Sequence, residues 1–280
     1  METTGSEPPE GADEVTEAAL EAVSEAVELA DEQARRHRAL RRRGLRRRVS
    51  GELAGRAERA RGVRRLGAAV GQAARHGARI TGRGVSAGGR WLSDQVLAMA
   101  PRLPVRNLAT LRGQFPHRTP DELAEALIEG AARASAAVGV AVGAWAVLPF
   151  LPAAGVEIAT ETLSVVGIEI KLVAELHEVY GLTAPGGGVE RMTAYVGAWS
   201  QRRGVGLAPG GIVLAAGSPL ARQLQRRLAA RAGRSVFSLG PLLTGAAAGG
   251  IINRRETRKL GRAIRDDLRK RSPHARGWLD

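Results

Sequence analysis

The sequence predicts an all-α protein, a helical bundle built on Gly/Ala-rich helical hairpins with a disordered or weakly helical N-terminal extension. Three observations lead there. Aromatic residues make up only 3% of the chain while glycine is abundant, so a core has to close through near contact of small side chains. Helices pack that way more readily than strands, which favour β-branched and aromatic residues. Apolar residues recur at helical spacing from Thr119 to Gly181, and the run Thr119-Pro120-Asp121-Glu122 is a well-formed helix start, with a hydroxyl cap, proline at the first helical position and carboxylates facing the dipole.

Residues 1–34 form an acidic arm with eleven carboxylates and no basic side chain. Ala19, Val23, Ala26 and Ala30 recur at helical spacing, which suggests a weak helix; a solvated, partly disordered tail is the reading adopted, with shielding of a basic surface in cis as its functional counterpart. Residues 35–118 are an Arg-rich region and a Pro-containing linker. Arg35, Arg36, Arg38, Arg41, Arg42, Arg43, Arg46, Arg47 and Arg48 are too dense for a buried face and are assigned to an anionic surface. No aromatic residue interrupts Arg35 to Arg90, so single-strand stacking is disfavoured. Pro101, Pro104, Pro116 and Pro120 mark the linker, and a domain is expected from 119 to 271, followed by a tail at 272–280.

Ala134 to Val156 carries no charge, but Pro149 and Pro152 interrupt it. The arm before the break would be ~22 Å long, short of a ~30 Å hydrocarbon core. A helical hairpin follows, whose apolar tip at Leu148, Phe150 and Leu151 either dips into one leaflet or forms the corner of a soluble bundle. Ser135, Gly139 and Gly143 make a small-residue stripe for a close helix neighbour, and Gly245, Gly249 and Asn253 repeat it. The return arm ends at Tyr180, with Gly181 as its C-terminal cap. Glu157, Glu161, Lys171 and Glu175 share a stripe on that arm. The stripe is expected to be solvated, with a polar or ion-handling site including Glu169 as the alternative.

Two later apolar stretches, Val205 to Ala221 and Val236 to Ile252, flank Arg222, Arg226, Arg227, Arg231 and Arg234. Were both to span a bilayer, this cluster would lie opposite the basic stretch from Arg254 to Arg271, contrary to the positive-inside tendency. A polytopic membrane protein is therefore not expected.

Taken together, the capped helix with Gly139 and Gly143, the Leu148–Pro152 corner, the Lys-containing helix ending in Tyr180-Gly181 and the small-residue segment from Pro241 to Gly250 closing on Asn253 resemble the EcsC protein family. The resemblance covers about residues 119–271. It implies an association with a bacterial membrane transport system and carries over no catalytic residue and no cofactor.

With no cysteine, disulfides, thiolate nucleophiles and thiolate metal sites are excluded. Glu2, Glu7, Glu10, Asp13 and Glu14 precede any basic residue, so no secretory signal is expected and the chain is read as cytoplasmic. A net charge of +14 calls for an anionic partner. Gly84-Val85-Ser86-Ala87-Gly88 matches a nucleophile elbow but follows no strand. His177-Glu178 lacks the second histidine of a zinc helix, since Gly181 stands there. Gly186-Gly187-Gly188 lacks the lysine of a phosphate loop. Neither a metal nor a cofactor is expected, and an enzyme built on Glu157, Glu161 and His177 is disfavoured. The function expected is that of a non-catalytic accessory protein peripheral to the inner face of the membrane or within a membrane protein complex; nonspecific nucleic-acid binding is the alternative.

Overall fold

The structure, a computed structural model, describes residues 12–42, 94–145, 154–208, 211–214 and 243–272. The described part is an all-α bundle. Its helices are α1 (Ala12–Arg42), α2 (Leu108–Gln114), α3 (Pro120–Trp145), α4 (Ala154–Val179), α5 (Gly188–Arg203) and α6 (Leu243–Arg271). A short helical segment at 94–99 runs into a 3-10 turn at Ala100–Arg102 before α2.

Helix α4 is the axis. It is buried on every face from Thr160 to Leu176: Leu163, Val166, Ile170 and Val173 share one side, Ile168 and Leu172 lie on the opposite one, and the polar side chains between them are buried too. α1, α3, α5 and α6 pack around it, with α2 against its C-terminal half. The α3 start is as expected: the Thr119 Oγ1 accepts from the Glu122 N–H at 3.3 Å, and the Glu122 carboxylate accepts from the Thr119 N–H at 3.0 Å. Gly181 closes α4 with φ 65°, which an L side chain adopts only with strain, and Leu182 N–H reaches back to the His177 carbonyl at 3.0 Å.

Two expectations about organisation are overturned. Residues 12–42 form one long helix, and its Val15, Ala19, Ala22, Val23, Ala26 and Ala30 lie in the core against α3 and α4. The arm is ordered because alanine has the best helix propensity and a stripe of it lets helices approach closely. At the α1–α4 crossing a Cβ on Gly167 would come within 2.9 Å of the Val23 side chain. The supposed linker is also part of the core: Leu103, Leu111 and Phe115 are buried, so the unit does not begin at Thr119.

The expected small-residue stripes are each other's partner. A Cβ on Gly139 would stand 2.9 Å from the Gly249 carbonyl carbon, so α3 and α6 meet backbone to backbone. The stretch after α5 differs from expectation. Gly204, at φ 64°, ends α5, and Val205–Ala208 (β1) pairs antiparallel with Gly211–Leu214 (β2), Val205 opposite Leu214. Its β-branched residues and flanking glycines favour a hairpin over helix.

Candidate functional site

Two clusters of buried charge sit on α4. In the first, Arg106 from the segment before α2 forks onto Glu175, with Nε to Oε1 and Nη2 to Oε2 both at 2.8 Å, and its Nη1 reaches Asp31 of α1 at 3.0 Å. Lys171 pairs with the same carboxylate and donates to the Pro104 carbonyl at 2.6 Å. Burial by itself would raise the Glu175 pKa; the hydrogen bonds from Arg106 and the charges of Arg106 and Lys171 overcome that and hold it below the usual carboxylate range. Burial pushes the Lys171 pKa down and repulsion from Arg106 adds to this, while the pairing with Glu175 offsets them only in part. The crevice between these groups and α3 is about 20 Å³, room for about one water and no metabolite.

The second cluster joins four helices. Glu169 of α4 accepts from Trp199 Nε1 at 2.9 Å and Arg203 Nε at 3.0 Å, both on α5, and from Thr257 Oγ1 of α6 at 2.9 Å. Thr257 also reaches Ser135 Oγ of α3 at 3.0 Å, and Asn253 Nδ2 lies 3.2 Å from both the Ser135 carbonyl and Glu161 Oε1. Arg203 extends to Glu256 at 3.4 Å. Glu169 is 2% exposed and Arg203 5%, so each charge depends on the other rather than on water.

The acidic stripe is therefore not solvated, as had been expected. Glu161, Lys171 and Glu175 are buried; Glu157 belongs to α4, but its side chain lies outside the described residues. The partners that make burial affordable, Arg106, Arg203 and Asn253, lie far away in sequence. Glu161 and His177 are not brought together: sixteen residues of one helix separate them by ~24 Å. His177, half-buried, has its Nδ1 2.7 Å from the Val173 carbonyl, and burial lowers its pKa. Each buried carboxylate described is used by cations, amides or hydroxyls of neighbouring helices, an arrangement that fastens helices together.

Outside the core an ion-pair ladder runs along α3 and α6, which are antiparallel. Glu129 takes Arg258 at 2.6 Å, Glu125 takes Arg262 and Arg265 at 2.7 Å, and Asp121 takes Arg269 at 3.4 Å. The ladder ends where the glycine contact begins, which gives the bundle two unlike poles. At one, the charge-free lengths Ala134–Trp145 of α3 and Leu243–Ile252 of α6 come together with the start of α4. Ile251 and Ile252 stand 66% and 49% exposed there, and exposed Arg254 and Arg255 follow after the buried Asn253. At the other, the Ser272 Oγ donates to the Tyr180 carbonyl at 2.7 Å and Tyr180 OH to Asp121 at 2.7 Å, gathering the ends of α4 and α6 beside the start of α3.

α1 runs parallel to α4. Val23 lies at Gly167 and Asp31 joins Arg106 at Glu175, eight residues further along each helix. Arg35 is exposed near the level of the α4 C-terminus, and Arg36, Arg38, Arg41 and Arg42 continue α1 past it, away from the apolar pole. Arg43, Arg46, Arg47, Arg48, Leu148, Phe150 and Leu151 lie outside the described residues. Arg106, Arg203 and the exposed pair Ile251 and Ile252 had escaped sequence reasoning. Two adjacent isoleucines before an Arg pair were a visible signal; the two arginines carried none.

No helix among the described residues is long and apolar enough to cross a membrane. No group of metal-ligating side chains occurs among them. Comparison with protein-family models, with curated proteins and with solved structures finds no match for this chain.

Proposed function

We infer that the protein is a non-catalytic accessory protein at the inner face of a membrane or in a membrane complex, the role that its resemblance to the EcsC family implies, and that it meets lipid with its apolar pole. One observation carries the reading: Ile251 and Ile252 are exposed where the charge-free lengths of α3 and α6 meet, with Arg254 and Arg255 just behind them. Apolar side chains entering the acyl boundary gain ~25 cal/mol per Å² buried, and cations one turn away lie at the headgroup level. Each such cation adds ~1 kcal/mol on an anionic leaflet.

Flotation with phosphatidylglycerol-containing vesicles tests this. Binding is expected to persist in high salt, because apolar burial is not screened. The variant Ile251→Asp/Ile252→Asp, altered only at exposed positions, is expected to keep its helical spectrum and become salt-labile. Equal high-salt flotation of both proteins sinks the reading.

A further inference from the structure

The two surfaces suited to anionic partners face opposite ways. α4 is 26 residues long, so the poles stand ~39 Å apart, and residues 36–42 of α1 extend a further ~10 Å beyond the basic one. A bilayer holding Ile251 and Ile252 in its boundary leaves this end of α1 well clear of its headgroups. The geometry points to a second partner at the basic pole: the phosphate backbone of double-stranded nucleic acid, bound without regard to sequence.

Three features select that partner. At 100° per residue, positions 35, 36, 38, 41 and 42 spread over roughly 220° of the helix circumference. A flat lipid surface meets one side of a helix, whereas a duplex groove, ~12 Å wide in the major groove, offers phosphates on both walls. Only Ala39 and Leu40 are apolar in this stretch, so it holds nothing to anchor in hydrocarbon. No Phe, Tyr or Trp lies between Arg35 and Arg90 for an unpaired base to stack upon, which favours duplex over single strand. Exposed Arg269, Lys270 and Arg271 at the end of α6 add positive charge at the same pole. α1 is held for this by its acidic half: Asp31 on Arg106, Glu17 on Arg102, and the alanine stripe in the core. The protein thus tethers duplex nucleic acid to a membrane. The tethering rests on the membrane reading above; the duplex contact does not.

The test mixes full-length protein, phosphatidylglycerol-containing vesicles and a fluorescent blunt duplex of random sequence. The duplex is expected to float with the vesicles only when protein is present. Arg36→Gln/Arg38→Gln/Arg41→Gln/Arg42→Gln is expected to float without duplex, and in gel shifts to bind duplex at least about tenfold more weakly at ~0.1 M salt, with a salt slope shallower by ~4. Ile251→Asp/Ile252→Asp is expected to bind duplex like wild type in low-salt gel shifts, while the variant protein itself no longer floats in high salt. Wild-type protein that floats without recruiting duplex overturns the proposal, as does unimpaired duplex binding by the Arg→Gln variant. Clustering of vesicles in place of duplex recruitment overturns it too, by assigning the basic pole to a second bilayer. If wild-type protein fails to float, only the membrane reading falls, and the gel shift still decides the duplex contact.

Discussion

Arg203 and Glu169 show what a buried pair demands of its surroundings. Each is nearly inaccessible to water, and Glu169 relies further on Trp199 and Thr257. Arg203→Met leaves a carboxylate buried without its cation and is expected to cost about 3–5 kcal/mol in chemical denaturation, while Arg203→Met with Glu169→Leu recovers most of that. Protonation acts on other residues. Burial lowers the His177 pKa, so below ~6.5 the unfolded chain takes up a proton that the folded one refuses, and stability falls with pH. The Glu175 and Glu129 pKa values are lowered as well, so stability is lost again as pH drops through and below ~4.3. Denaturation midpoints measured from pH 8 to about pH 2 are expected to fall in these two stages, and His177→Gln to remove the first. Sequence reading placed Glu161, Lys171 and Glu175 on one stripe of α4 but exposed them to solvent. A carboxylate's burial depends on who arrives to meet it, and Arg106 stands 69 residues before Glu175.

At the level of helices the reading from sequence went further. The α3 cap, the extent of α4, the Gly181 terminator and both glycine stripes follow from local rules and match what is seen. Local rules failed where pairing decides: α1 looked marginal because its alanine stripe is stable only once α3 and α4 cover it. Gly130 and Gly139 lie on one helix and separate the two uses of glycine. Nothing lies within 4 Å of a Cβ built on Gly130, so Gly130→Ala is expected to stabilise by about 0.5–1 kcal/mol. Gly139→Ala meets the Gly249 backbone and is expected to destabilise, and Gly139→Leu to separate α3 from α6, both read from thermal melts.

For the whole molecule, the packed core takes in α1 and the segment around α2 together with the helices after Thr119. A fragment of residues 119–280 lacks the helix that covers one side of α4 and lacks Arg106 for Glu175. It is expected to keep helical signal but melt without a sharp transition and bind a hydrophobic dye, whereas a cooperative melt equal to that of the full chain would restore the shorter boundary. The prolines from Pro101 to Pro120 and the helix cap at Thr119 set the expected boundary, and such local signals do not report which other segments bury a helix. The α3–α6 ladder has one more consequence. Its bonds join residues such as Glu125 and Arg262, 137 positions apart, so the contact order is high for a helical protein and folding is expected to be slow for its class. On a ribosome adding ~5–20 residues per second, Ser135 waits on the order of ten seconds before Asn253, 118 residues later, is made. During that interval the glycine face of α3 and the carboxylate of Glu169 have no α6 to close on, and the nascent chain is at its most vulnerable to proteolysis and to chaperone capture.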